Sequence, residues 1–186
     1  KWMNKRTKNF DRPVNIYEMH VGSWKKAEDV EWINYREIAA DLIAYLKEMN
    51  FTHVEFMPLC EFPFDGSWGY QCSGYFSVTS RYGECIDLAY LINELHKADI
   101  GVIMDFVPVH FVRDDFSLSY FDGTPLYEYE KAHDADSQWG TANFNLWKEE
   151  VRSFLMSAGA FWLDKYHVDG LRMDAISNII HWHGNK

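Results

Sequence analysis

Four short apolar runs alternate with three stretches of helical periodicity, and this alternation limits the fold more than any other feature of the chain. The strand-like runs are residues 14–21, 53–59, 102–107 (opened by Gly101) and 170–175. Residues 35–49 place Ile38, Leu42, Tyr45, Leu46 and Met49 three and four apart, as one buried helix face requires. Residues 86–98 carry the stripe Leu88, Leu91, Ile92 and Leu95. Residues 147–166 carry Val151, Phe154, Leu155, Ala158 and Trp162. Asn34, with Glu37 three residues on, is a capping pair for the first helix. The order βαβαβαβ calls for parallel strands joined by right-handed crossovers. A doubly wound sheet and a (β/α)8 barrel both satisfy it. Two observations favour the barrel. No glycine-rich phosphate turn follows the first strand. Polar residues gather instead at the C-terminal ends of several strands, where barrels place their chemistry. A whole barrel needs eight units and about 250 residues. The expected fold is therefore α/β, the first four strands and about three helices of a TIM barrel: a half barrel.

The charge of −10 and pI near 5.2 argue against nucleic acid, whose phosphates call for a basic surface. They suit a neutral substrate. Cys60, Cys72 and Cys85 are odd in number and irregular in spacing, which fits neither a disulfide framework nor a zinc site. They suit a reducing, cytoplasmic setting. No run approaches eighteen apolar residues, so no membrane span is expected. The basic start lacks the apolar stretch of a secretory signal. The connections 61–84 and 110–145 are long and rich in Trp, Tyr, Phe and Gly, so they are expected to be ordered cleft walls.

The chemistry concentrates at Asp169-Gly170-Leu171-Arg172-Met173-Asp174-Ala175. Strand residues two apart share a face, so Arg172 and Asp174 project together. A guanidinium that close favours the ionised carboxylate. An ionised, positioned carboxylate is what a covalent glycosidase nucleophile must be. The alternative is a purely structural Arg172–Asp174 pair. Asp105 ends the third strand, just before Val107-Pro108-Val109-His110. A carboxylate there is costly unless bonded, so Asp105 is either a satisfied structural residue or a cleft carboxylate with His110 beside it. In the aromatic segment 68–76, glycines let the backbone approach a ligand, and Tyr70 either stacks under a sugar ring or seals the barrel top. His20 lies at a strand end, as a site residue or a plain surface histidine. His181 and His183, two apart, are too few for a metal case.

Together these segments resemble the α-amylase superfamily of glycoside hydrolases. Asp105-Phe106-Val107-Pro108-Val109-His110 resembles its first signature block, and Gly170-Leu171-Arg172-Met173-Asp174 its second. Finer features are similar to the 1,4-α-glucan (glycogen) branching enzymes: Ile16 to Trp24, Trp68-Gly69-Tyr70-Gln71 with Gly74-Tyr75, Thr79 to Gly83, and Trp139-Gly140-Thr141. The resemblance implies that Asp174 is the nucleophile and Arg172 its orienting partner. It implies that Asp105, His110 and Tyr70 line the −1 sugar subsite. The reaction implied cleaves an α-1,4-glucan and rejoins the segment through an α-1,6 bond, with retention of configuration. It also implies residues 1–13 as a linker from an upstream domain and 14–186 as the N-terminal half of the catalytic barrel.

Many family amylases carry a calcium-binding asparagine where this chain has Val109, whose side chain offers no oxygen. No metal and no cofactor is therefore expected. The blocks carrying the acid/base glutamate and the second substrate-fixing aspartate would lie beyond Lys186, and neither Glu61 nor Glu84 matches them by context. The 186-residue chain alone is expected to be inactive, because general acid assistance alone supplies roughly 10²–10⁴-fold. Robust branch formation by that purified chain would overturn the expectation. A half barrel also leaves open sheet edges, so self-association is expected. Two rival readings remain: an α-glucan hydrolase of the same fold, and a non-catalytic glucan-binding module.

Overall fold

The computed structural model describes residues 3, 6, 11–26, 28 and 30–181. Its strands are β1 (Ile16–Met19), β2 (His53–Phe56), β3 (Cys60–Glu61), β4 (Gly74–Val78), β5 (Gly101–Phe106), β6 (His110–Phe111), β7 (Ala142–Asn143) and β8 (Gly170–Met173). Its helices are α1 (Val21–Trp24), α2 (Tyr35–Glu48), α3 (Cys85–Lys97), α4 (Ala132–Ala135), α5 (Glu149–Lys165) and α6 (Ser177–Ile180). Four strands form one parallel sheet in the order β1-β2-β5-β8. That order follows the chain without reversal. A doubly wound sheet turns back on itself at a switch point, whereas a barrel adds each strand beside the last. The sheet is therefore the first half of a (β/α)8 barrel, with α2, α3 and α5 as its crossover helices.

The three long helices fall within two residues of their expected limits, because a 3.6-residue apolar stripe marks them directly. Leu42, Leu46, Leu88, Leu95 and Trp162 are fully buried against the sheet. Asn34 and Glu37 form a capping box on α2. Glu84 and Asp87 form another on α3. Asp87 also receives Arg36 Nε at 2.9 Å and Asn34 Nδ2 at 3.2 Å, so one carboxylate ties the start of α3 to that of α2.

The sheet strands are shorter than the apolar runs suggest. The run 14–21 yields only β1, because Val21 already belongs to α1. The strand β2 stops at Phe56, two residues before Pro58, which has no N–H for a ladder. The strand β8 stops at Met173, and Ala175 adopts a left-handed backbone (φ 51°). Side chains alternate across the sheet. Val54, Phe56, Val102 and Met104 are fully buried or nearly so in the core. Glu18, Glu55, Ile103 and Asp105 take the intervening positions, on the concave face.

The connection after β2 folds into a β3–β4 antiparallel pair, and the one after β5 into a β6–β7 pair. Three of these four strands, β3, β6 and β7, are two residues long and carry no readable periodicity, so these small sheets are absent from the sequence reading. Glu61 braces the first connection: it receives Arg81 Nη1 at 2.8 Å and the Ser80 N–H at 2.9 Å. Tyr75 ties both connections to the barrel. Its buried hydroxyl lies 2.9 Å from Val107 O and 2.8 Å from His110 O, and its own carbonyl accepts Trp162 Nε1 at 3.0 Å. The one hydroxyl proton serves these two carbonyls between them, so Tyr75→Phe strands a buried acceptor and should cost about 1–3 kcal/mol, read as a lower urea midpoint with an unchanged slope.

Of the segment expected to be a linker, Arg6 forms an ion pair with Asp169 at the start of β8, while residues 1, 2, 4, 5 and 7–10 lie outside the described residues. His183 also lies outside them. Among the described residues, no helix is long and apolar enough to cross a membrane.

Candidate active site

Parallel pairing sets Asp105 of β5 opposite Arg172 of β8. Beyond the last strand residue, the Asp174 N–H still donates to Phe106 O at 2.9 Å. Asp174 therefore keeps the alternation of β8 and projects on the Arg172 side. Arg172 Nη1 lies 3.0 Å from Asp105 Oδ2 and 2.9 Å from Asp174 Oδ1. One guanidinium nitrogen thus serves both carboxylates. Tyr70, carried in by the connection after β3, donates its hydroxyl to the same Asp105 Oδ2 at 2.5 Å.

Asp105 is wholly buried. Burial raises its carboxyl above the usual range, opposed by the Tyr70 hydrogen bond and the Arg172 cation. Burial and the Asp105 carboxylate raise the Tyr70 hydroxyl well above its ordinary value, so Tyr70 remains a proton donor. Asp105 Oδ1, by contrast, has no hydrogen-bond partner among the described residues.

A cleft of about 350 Å³ opens above these groups, lined by Ser67, Tyr70, Gln71, His110, Trp139 and Asp174. Asp105 is not among the lining residues; it is linked to two of them, to Tyr70 directly and to Asp174 by way of Arg172. His110 is a wall. Its Nδ1 is 3.0 Å from Thr141 Oγ1, which in turn lies 2.5 Å from Ser137 Oγ. Its ring packs on Trp139 with centroids 4.8 Å apart. Burial pushes the imidazole down to about 4, although Asp174 pulls the other way. His110 is therefore a neutral ring at pH 7.

This gives a pH expectation with a definite sign. The unfolded chain binds a proton on histidine near pH 6.5, whereas folded His110 does so only near 4. Its contribution to stability is present above 6.5 and is lost as pH falls from 6.5 to 4. Nitrogen-15 chemical shifts of His110 should report the neutral ring down to about pH 5. A ring protonated at pH 6.5 would contradict the burial argument.

The five residues singled out as site candidates, Tyr70, Asp105, His110, Arg172 and Asp174, all gather at this one end of the sheet. His20 lies at the same end, after β1, but does not line the cleft. It bonds Ser23 Oγ (3.0 Å) and the Tyr82 hydroxyl (3.2 Å), and its ring stacks on Trp68. Glu61 and Glu84 are taken up by loop bracing and helix capping. Val109 is buried and apolar.

Two further acids belong to the surroundings of the site and were not singled out by sequence. One oxygen each of Glu18, Glu55 and Asp105 lie within 4.8 Å of one another. Their signal is a charged residue at the odd positions of an apolar strand, which becomes legible only once strand order is known. Such a group could hold a cation, and the Arg172 guanidinium already offsets part of its charge. Ser67, on the cleft wall, carried no signal in the sequence.

Comparison with known proteins gives a consistent picture. The family model for the α-amylase catalytic domain matches residues 23–134. The 1,4-alpha-glucan branching enzyme GlgB of Fusobacterium nucleatum is 53% identical over 182 residues, covering 98% of this chain and 30% of that protein. GlgB 1 of Clostridium perfringens is 55% identical over 184 residues, covering 97% of this chain and 27% of that protein. The chain thus spans less than a third of the length of these curated relatives. Among solved structures, trehalose-6-phosphate hydrolase of Bacillus licheniformis superposes with a TM-score of 0.72 at 25% identity, covering 89% of this chain and 36% of that one.

Proposed function

This chain belongs to the α-amylase catalytic-domain family, and we propose that it supplies the N-terminal half of the catalytic barrel of a 1,4-α-glucan branching enzyme. The observation that carries the reading is the hydrogen-bonded array of Asp174, Arg172, Asp105 and Tyr70 at the strand ends where barrel chemistry sits, with Asp174 and Tyr70 lining one cleft.

In this reading Asp174 is the nucleophile. Its carboxylate attacks the anomeric carbon of an α-1,4-linked glucose as the glycosidic C–O bond breaks. The departing oxygen takes a proton from a general acid contributed by another part of the protein. The 6-hydroxyl of a second glucan then displaces Asp174, giving its proton back to that base, and an α-1,6 bond forms. Two inversions leave the configuration retained. Arg172 holds Asp174 by its Oδ1 and leaves Oδ2 for the attack. Neutral His110, with Nδ1 occupied by Thr141, turns Nε2 to a sugar hydroxyl, and Trp139 offers an apolar face beside it. The three cysteines form no disulfide, in keeping with a cytoplasmic setting.

The product separates this reading from its rivals. The full-length protein, given linear α-1,4-glucan, should generate α-1,6 branch signals by proton NMR with little gain in reducing ends. Reducing ends without branches would identify a hydrolase. Binding without turnover would leave only a glucan-binding module.

A further inference from the structure

The buried Asp105 Oδ1 poses a problem that the catalytic reading does not solve. A buried carboxylate oxygen with no donor carries its full desolvation penalty, larger still when charged. Both ordinary donors, Tyr70 and Arg172, go to Oδ2. The other groups facing Asp105 from the neighbouring strands are Glu55 of β2 and Glu18 of β1. Ionised, these are acceptors only and would repel it. A single proton reverses that: a protonated carboxyl is a donor, and of the two glutamates Glu55 is the less exposed.

We propose that Glu55 donates a carboxyl hydrogen bond to Asp105 Oδ1, and so acts as a positioning residue for the Asp105–Arg172–Asp174 array. The proposal rests on that array being the catalytic site. Glu55 is not among the residues that line the cleft. It acts by holding Asp105 so that Oδ2 meets Arg172, which in turn fixes Asp174. Independent support comes from electrostatics. Burial raises the Glu55 carboxyl, and the carboxylates of Asp105 and Glu18 add to the rise, against a smaller opposing pull from Arg172. Glu18, register partner of Glu55, is exposed to water. The proton therefore serves one pair, Glu55 with Asp105.

Two substitutions in the full-length protein test this. Glu55→Gln keeps a donor that cannot ionise. Glu55→Leu keeps the bulk and removes the donor. The expected results are a kcat within about threefold of wild type for E55Q, and a roughly 10- to 100-fold lower kcat with little change in KM for E55L. The raised Glu55 carboxyl loses its proton as pH rises, so wild-type kcat should fall on the alkaline side. E55Q should lack that limb. Equal losses in both variants, or an unmoved limb in E55Q, overturn the proposal. A measurement independent of turnover is the infrared difference between wild type and E55Q at about pH 6, where an ordinary glutamate is almost wholly ionised. A protonated-carboxyl band lost in E55Q supports the hydrogen bond, and its absence overturns it. Failure of the branching reading is a separate event: wild-type protein that makes no branches.

Discussion

Asp174→Asn in the full-length protein should abolish turnover while leaving the fold and glucan binding intact. The amide is nearly isosteric with the carboxylate, so packing changes little. It cannot form the covalent glycosyl ester, and water reached by no other base is a poor substitute. Loss of an enzyme nucleophile removes a whole pathway, and the fall in kcat should be on the order of 10⁴-fold or more. Arg172 Nη1 loses its charged partner at 2.9 Å but keeps Asp105 at 3.0 Å, so the guanidinium stays anchored. Affinity for linear α-1,4-glucan, read by calorimetry, should stay within about threefold, since uniform binding does not depend on the nucleophile. Residual activity of a tenth would remove Asp174 from the nucleophile's role. It would return the Arg172–Asp174 contact to the structural reading that the sequence left open.

Much of the site is written in features that short sequence windows carry. Arg172 and Asp174 are two apart on one strand, and strand alternation alone predicts their contact. Asp105 and His110 stand out because a carboxylate and an imidazole follow an apolar run at once. The helices are legible for the same local reason: Leu88, Leu91, Ile92 and Leu95 spell out one face of α3, and each is buried. What local windows lack is register. Asp105 meets Arg172 across 67 residues because β5 and β8 are neighbours at a particular offset, and no pattern within either strand encodes that offset. Tyr70 illustrates the same limit. Its aromatic segment left it either to stack under a sugar ring or to seal the barrel top, and gave no sign that its hydroxyl would bond Asp105. Thr141 reaches His110 because β6 pairs with β7, two-residue strands too short for any periodicity to announce. Glu55 reads within His-Val-Glu-Phe as an ordinary polar position on a half-buried strand. Only the sequential order of the sheet turns it inward, toward Asp105.

The second large effect is expected at Arg172, and it should depend on pH in a way that identifies the cause. Arg172→Met retains much of the apolar stem and removes the cation. Asp105 is then a buried carboxylate with Tyr70 as its remaining strong donor. Breaking a fully buried pair by removing one partner costs about 3–5 kcal/mol. Here the arginine side chain is 45% exposed, so water screens part of the interaction, and about 2–3 kcal/mol is the better expectation. The cost has an outlet. Burial already raises the Asp105 carboxyl, and loss of the Arg172 cation, one of the two influences opposing that rise, raises it further. A carboxyl whose folded value is raised favours the protonated form. The variant should therefore be most destabilised at neutral pH and recover toward wild type as pH falls through the folded value. Urea midpoints for wild type and R172M, measured across the acid range, should converge at low pH. A penalty that stays constant with pH would mean that lost packing of the arginine stem, and not the stranded charge on Asp105, is what the substitution removes. Arg172→Lys separates geometry from charge in turn. An ammonium supplies the charge, but on a flexible stem and without the rigid guanidinium plane that fixes Nη1 between the two carboxylates here. R172K should recover most of the stability and only a small part of the activity, because Asp105 needs a cation, whereas Asp174 needs to be held in one orientation.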